Sequence, residues 1–190
     1  MDLDQLRAGC LGCQKCGLCA TRTNVVFGTG VADAEVKFIG EGPGQQEDEQ
    51  GLPFVGRSGQ LLDRYLEAIG LFRDKNIFIG NIVKCRPPQN RDPLPEERQA
   101  CLPWLREQFR LIQPKIVVCL GRIAAQQIIR PDFSVTKEHG QWTQKGGVWF
   151  TATLHPAALL RNPRQKPDAF EDYVAIRQKI HEVCTHTYTV

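Results

Sequence analysis

Four short apolar runs constrain this chain most: VKFIG (36–40), IFIGNIVK (77–84), KIVVCLG (115–121) and VWFTATLHP (148–156). Each has the length of a strand and leaves no polar face for water, so each reads as a strand buried on both sides. Between them the period changes. In GQLLDRYLEAIG, Leu62, Tyr65, Leu66 and Ile69 recur at helical spacing and Gly70 supplies a stop. After Pro95, Cys101, Leu105, Phe109 and Ile112 form one stripe, with Pro and Glu at its start as a helix N-terminus prefers. GRIAAQQII is a third helix, and in DAFEDYVAIRQKIHEV, Tyr173, Ile176, Ile180 and Val183 share one face. The alternation predicts an α/β fold: a single three-layer αβα domain over residues 1–190 around a central, mostly parallel four-stranded sheet. A cysteine-rich segment, residues 1–35, is expected to pack on it, and the polar tail is expected to fray over 186–190.

In sheets of this kind, ligands collect where the strands end at their carboxyl side. That rule selects Glu41, Asn81, Gly121 and His155. The segment after the first run, GEGPGQQEDEQGLPFVG, lacks the Lys-Ser/Thr pair and the GxGxxG spacing of nucleotide loops, and Pro43 removes a backbone donor. It reads as backbone that passes close to a flat ligand, with Glu41, Glu47 and Asp48 at the rim and Phe54 available to stack. After the last run comes LHPAALLRN. His155, held by Pro156, can donate to an oxygen that gains charge. Leu159 and Leu160 followed by Arg161, Arg164 and Lys166 combine an apolar wedge with phosphate-binding cations, the means by which a protein pries a base step apart. The net charge of +3 permits a nucleic-acid partner without forcing one. No apolar run approaches the roughly 18 residues of a membrane span, so a soluble protein is expected.

Eight cysteines are unusual in 190 residues. The N-terminus, MDLDQLRAGC, carries acidic residues where a signal peptide needs an apolar core, which points to a reducing cytoplasm and to metal or redox chemistry rather than bridges. CLGCQKCGLC places a cysteine at every third position from 10 to 19. Cys13 and Cys16 together with Cys85 and Cys101 make two pairs from distant segments, a closed site for either zinc or a 4Fe-4S cluster. The loop RPPQNRDPLP, with Arg86 and Arg91, would be pinned beside it. A ferredoxin-like use of three cysteines from the ladder is the rival arrangement, and an electron carrier or a non-catalytic nucleic-acid-binding module with a four-cysteine metal site are the rival functions.

Taken together and in this order, GEGPGQQEDEQGLPFVGRSGQLL, NIVKCRPPQNR and HPAALLR resemble the family 4 uracil-DNA glycosylases, the iron-sulfur branch of their superfamily, over roughly residues 10 to 183. The resemblance implies an enzyme of base excision repair that flips uracil out of DNA and hydrolyses its N-glycosidic bond. It implies a 4Fe-4S cluster on Cys13, Cys16, Cys85 and Cys101, with Cys10 and Cys19 as bystanders. It also implies that Phe54 stacks on the uracil, that Asn81 reads its Watson-Crick edge, and that His155 faces the carbonyl oxygen that becomes negative. Glu41 and Gly42 lie against the pocket, and Glu47 lies near the C5 side or the attacking water. Where glycosylases with a GQDPY motif carry Asp, this chain has Gly42, so Glu41, Glu47 or the DNA phosphates must position the water. Arg86 and Arg91 are expected to meet DNA. The expected setting is cytoplasmic and nucleoid-associated, as a monomer on uracil-containing DNA, with a sliding clamp or a repair nuclease as conceivable contacts.

Overall fold

The computed structural model describes residues 1–189. Its elements run α1 (Leu3–Leu11), β1 (Thr29–Gly30), β2 (Val36–Gly40), α2 (Gln45–Gln50), α3 (Arg57–Ala68), β3 (Ile77–Asn81), α4 (Pro95–Ile112), β4 (Ile116–Leu120), α5 (Arg122–Ile128), α6 (Val135–Glu138), β5 (Thr143–Lys145), β6 (Val148–Thr153), α7 (Pro156–Arg161) and α8 (Lys166–Val183), with single 3-10 turns at Gly17–Ala20, Pro88–Asn90 and Pro163–Gln165.

The fold is α/β, but the sheet is mixed and has six strands in the order β1-β3-β2-β4-β6-β5, not the four expected. The four predicted runs supply β3, β2, β4 and β6, which pair in parallel. The two added strands pair antiparallel at the edges. At two and three residues they are too short to show a period in the sequence.

Side chains of the inner strands alternate between two cores, as the two-residue repeat of a strand requires. Phe78, Val117 and Cys119 pack with Leu105 and Ile112 of α4 and with Ala124 of α5. Val36, Phe38, Ile77, Ile79, Val118 and Leu120 pack with Leu62 and Leu66 of α3 and with Tyr173, Ile176 and Ile180 of α8. Full burial of each large aliphatic or aromatic side chain contributes about 1.5–3 kcal/mol. The connection from β2 to β3 passes through α3 on one face, and that from β3 to β4 passes through α4 on the other. Because β2 sits between β3 and β4, the chain reverses its direction of winding there, and a crevice opens beyond the carboxyl end of β2. No helix is long and apolar enough to cross a membrane among the described residues.

The tail does not fray as expected. Glu35 lies just before β2 and is 4% exposed. Its carboxylate accepts from the backbone N–H groups of Thr185, His186 and Thr187 at 2.7, 2.9 and 2.9 Å and from the Thr185 and Thr187 hydroxyls at 2.9 and 2.7 Å. Lys115 pairs with it at 2.8 Å. The polar letters of the tail serve as donors, which composition alone cannot distinguish from solvated residues; Val190 lies outside the described residues. Burial alone would raise the Glu35 carboxyl, but Lys115 and these donors outweigh it and hold the group below its ordinary 4.5. The stabilisation is therefore complete above that pH and fades as acid is added below it. Glu35→Ala is expected to lower the unfolding free energy by about 2–4 kcal/mol at neutral pH in a urea titration, with a smaller loss near pH 3.

Candidate active site

The ends of four strands meet in one cleft. Glu41 and Gly42 after β2, Asn81 at the end of β3, Gly121 after β4 and His155 after β6 all line it, with Glu47, Phe54, Arg91, Arg161, Asp92 and Arg122 around them. The rule of carboxyl ends thus selects residues that the fold does bring together.

Phe54 and Asn81 form the floor. Phe54 holds a left-handed backbone, φ 52°, which costs a non-glycine residue energy unless the surroundings enforce it. Arg73 enforces it: its guanidinium donates to the carbonyls of Pro53 at 2.5 Å and Phe54 at 2.6 Å and pairs with Asp63 at 2.7 Å. Glu47 adds a second hold, because its Oε1 accepts from the N–H groups of Val55 and Gly56, both at 3.0 Å. The Phe54 ring lies 5.7 Å from the His155 ring, centroid to centroid. Gly40 makes room beneath; a Cβ there would fall 2.5 Å from Phe54 Cζ and 2.6 Å from Asn81 Oδ1. That Oδ1 is buried and has no partner among the described residues. An unmet buried acceptor costs about 1–3 kcal/mol, so it is poised for a donor supplied by a ligand.

His155 caps α7, with Nδ1 accepting from Ala157 N at 3.0 Å. Its proton therefore sits on Nε2. Burial first, and then the Arg161 charge, pushes the imidazole down to about 4, so it is neutral at physiological pH. Glu41 moves the other way, up to about 7, through burial and the nearby Asp92 carboxylate.

The remaining predicted residues separate. Arg91 reaches the cleft while forking onto Glu97 at 2.9 and 2.7 Å. Arg86 bonds Asn90 at 2.7 Å, and Arg164 and Lys166 lie beyond the cleft lining. Leu159 is not available as a wedge. PAALLR forms α7 rather than a loop, and its spacing turns Leu159 inward, fully buried against Leu61, Leu154 and Ala169, with Leu160 half-buried beside them. Arg122, Asp92 and Arg73 were missed. Arg122 directly follows Gly121, so the strand-end rule pointed within one residue of it; its partner Asp92, at 2.6 Å, comes from a distant loop that no local signal connects.

A second cavity is lined by Cys10, Cys13, Cys16, Cys19, Cys85 and Cys101. Three N–H groups aim at its sulfurs: Trp104 Nε1 to Cys13 at 3.2 Å, Arg22 to Cys85 at 3.3 Å and the Lys84 amide to Cys101 at 3.3 Å. Cys10 projects from α1 and is fully buried.

The model of the uracil DNA glycosylase superfamily matches residues 27–176. A type-4 uracil-DNA glycosylase of Archaeoglobus fulgidus is 42% identical over 193 aligned positions, 96% of this chain and 94% of that protein. Another, of Sulfurisphaera tokodaii, is 43% identical over 93% of this chain and 84% of its own length, and one of Thermotoga maritima is 45% identical over 79% of each. This chain belongs to the uracil-DNA glycosylase superfamily, in its type-4 branch. All the cleft residues from Glu41 to His155 fall inside the matched span. Gly40→Ala is expected to cut uracil release from an oligonucleotide by about 100-fold or more while the far-ultraviolet circular dichroism stays that of the parent, since the intruding methyl displaces only the floor of the cleft.

Proposed function

We propose that this chain excises uracil from DNA by hydrolysing the bond between the base and its deoxyribose, and that the cleft is where it does so. The single observation that carries the reading is the buried Oδ1 of Asn81, without a partner among the described residues, beside the tilted rings of Phe54 and His155.

Rupture of the N-glycosidic bond leaves an anionic base and a cationic sugar, and catalysis consists of stabilising both. Asn81 Oδ1 accepts the N3–H of a uracil turned out of the duplex, and Phe54 stacks on its face, returning about 1–3 kcal/mol of the flipping cost. His155, neutral and with its proton on Nε2, donates to the uracil oxygen as negative charge accumulates there. The neutral imidazole keeps the Nε2 proton that this donation needs, while burial and the Arg161 charge disfavour only the cationic form. Glu41 positions the attacking water. Glu47 is less suited, since one of its oxygens is committed to the backbone that carries Phe54. Arg91, Arg161 and Arg122 line the cleft as phosphate partners, with Arg86, Arg164 and Lys166 further out. Any residue that fills the gap in the helix is Leu160 rather than Leu159.

The cysteine cavity fits a 4Fe-4S cluster on Cys13, Cys16, Cys85 and Cys101. Three of those four sulfurs receive an N–H donor, the pattern that supports ligating thiolates, and among the described residues neither the Cys10 nor the Cys19 sulfur receives one. When bound, the cluster supplies cross-linking of the N-terminal segment to the loop after β3. Cys85→Ala is expected to lose most of the iron per chain, whereas Cys10→Ala and Cys19→Ala keep it.

Two kinetic results test the cleft. Asn81→Asp replaces a donor and acceptor with a group that only accepts, so kcat/KM for uracil is expected to fall about 100-fold or more, and retained activity would remove Asn81 as the reader. For the parent, kcat/KM is expected to rise tenfold per pH unit up to about 7 and then level, because Glu41 works as the carboxylate; His155, titrating near 4, adds no second limb between pH 5 and 8. Glu41→Gln flattens the rise.

A further inference from the structure

Beneath Asn81 lies a group that the reaction does not use. Lys84 is 1% exposed and Lys37 is not exposed at all, yet neither ammonium pairs with a carboxylate among the described residues. Lys84 Nζ donates to the main-chain carbonyl of Asn81 at 2.8 Å and to Gln108 Oε1 at 3.0 Å. Gln108, itself unexposed, also accepts from Lys37 at 3.3 Å and fixes its own amide by donating to Phe27 O at 2.8 Å. Lys37 then lies over the rings of Phe78 and Phe109, at 5.2 and 4.6 Å. Toward the other side, the Lys84 amide donates to Cys101 Sγ, and Cys85 is the next residue.

Burying an ammonium without a countercharge costs several kcal/mol, so a lysine in this place needs a return for its charge. A leucine or methionine would fill the volume without the penalty. What only the ammonium provides is a strong donor to the carbonyl of the residue whose side chain enters the cleft, from a backbone anchored on a cysteine sulfur. We propose that Lys84 is a positioning residue that ties the peptide of Asn81 to the cysteine centre and so fixes the angle at which the Asn81 amide meets a pyrimidine. With its ammonium on the Asn81 carbonyl and its amide on Cys101 Sγ, the lysine lies between the two sites rather than at either one.

The proposal rests on the reading of Asn81 above, and a double-mutant cycle separates the two. Parent, Lys84→Met, Asn81→Ala and the double variant are compared for uracil excision and, by calorimetry, for binding of free uracil, with iron per chain measured on each so that comparison is made at equal loading. Lys84→Met is expected to lower kcat/KM by about 30-fold and to weaken free-uracil binding about tenfold in the parent, but to change either by less than about threefold once Asn81 is alanine, because residues that act through one another do not add. Equal losses in both backgrounds, or parent-like values in Lys84→Met, would overturn the positioning role. No uracil released by the parent would instead overturn the function. Should Lys84→Met fail to accumulate as folded protein, Lys84→Gln carries the same comparison, because it keeps a neutral donor and removes the charge; its loss is expected to be smaller than that of methionine and to vanish likewise beside Asn81→Ala.

Discussion

Phe54 and Asn81 meet over a residue that has no side chain, and the cleft depends on that contact. Gly40 ends β2, the one strand at which the winding of the sheet reverses, so its bare Cα lies at the mouth of the crevice that the topology opens. A methyl group there would occupy the space of both the ring and the amide oxygen. The site is thus made by an omission in a strand otherwise filled with large side chains. Everything else about Phe54 follows as a supporting requirement: the left-handed backbone, the arginine that grips two consecutive carbonyls, the glutamate that holds the next two amides, and Gly59 of α3, where a Cβ would sit 1.8 Å from the Phe54 carbonyl oxygen. These groups hold a flat ring in place before any ligand arrives, which is how a small binding free energy can be directed to the transition state instead of to ordering the protein.

Electrostatics divides the molecule in a similar way. Glu35, buried under the sheet, is surrounded by donors and serves stability. At the other end of the strands the ionisable groups are incompletely satisfied: Glu41 is raised by burial and a like charge, and His155 is kept neutral by burial and a neighbouring cation. The same physical cause, loss of water, acts on all of them. Compensation by hydrogen bonds makes it structural, and its absence within the cleft leaves the groups ready for chemistry.

Much of this was legible in the letters because the strands are long and apolar and because strand ends in such sheets face one crevice. Glu41, Asn81, Gly121 and His155 could be named together for that reason alone. The edge strands β1 and β5 were not legible, since two or three residues carry no period, and α1 was overlooked although Asp2 and Gln5 form a capping box there, with bonds of 2.8 and 3.0 Å. The assignment of Leu159 to a wedge failed on a subtler point. His155 and Pro156 are helix-starting residues as well as site residues, and once α7 begins at Pro156 its period decides which leucine faces the core. The role of the tail was hidden because it depends on a carboxylate some 150 residues away.

The segment from Asn81 to Cys101 is where the proposed metal centre would matter most to this architecture. Within that single stretch the chain carries the proposed pyrimidine reader, the buried lysine, one predicted cluster ligand, the cations Arg86 and Arg91, and a second predicted ligand. Between them lies a proline-rich loop with almost no backbone ladder, and its Gln89 and Asn90 both sit at φ 56°, where side chains are ordinarily disfavoured. A loop of this kind loses several kcal/mol of conformational entropy when it is held in one shape. Side-chain bonds from Arg86 to Asn90 and from Arg91 to Glu97 restrain its tip, but both are partly open to water and individually weak. Fixing the two ends on sulfur would restrain the base of the loop with bonds that water does not compete for, and it would do so next to Lys84, whose ammonium holds the Asn81 carbonyl. A cluster on these sulfurs would need no electrons to matter to hydrolysis; it would be enough that the loop starts and finishes at one rigid object, four residues beyond Asn81.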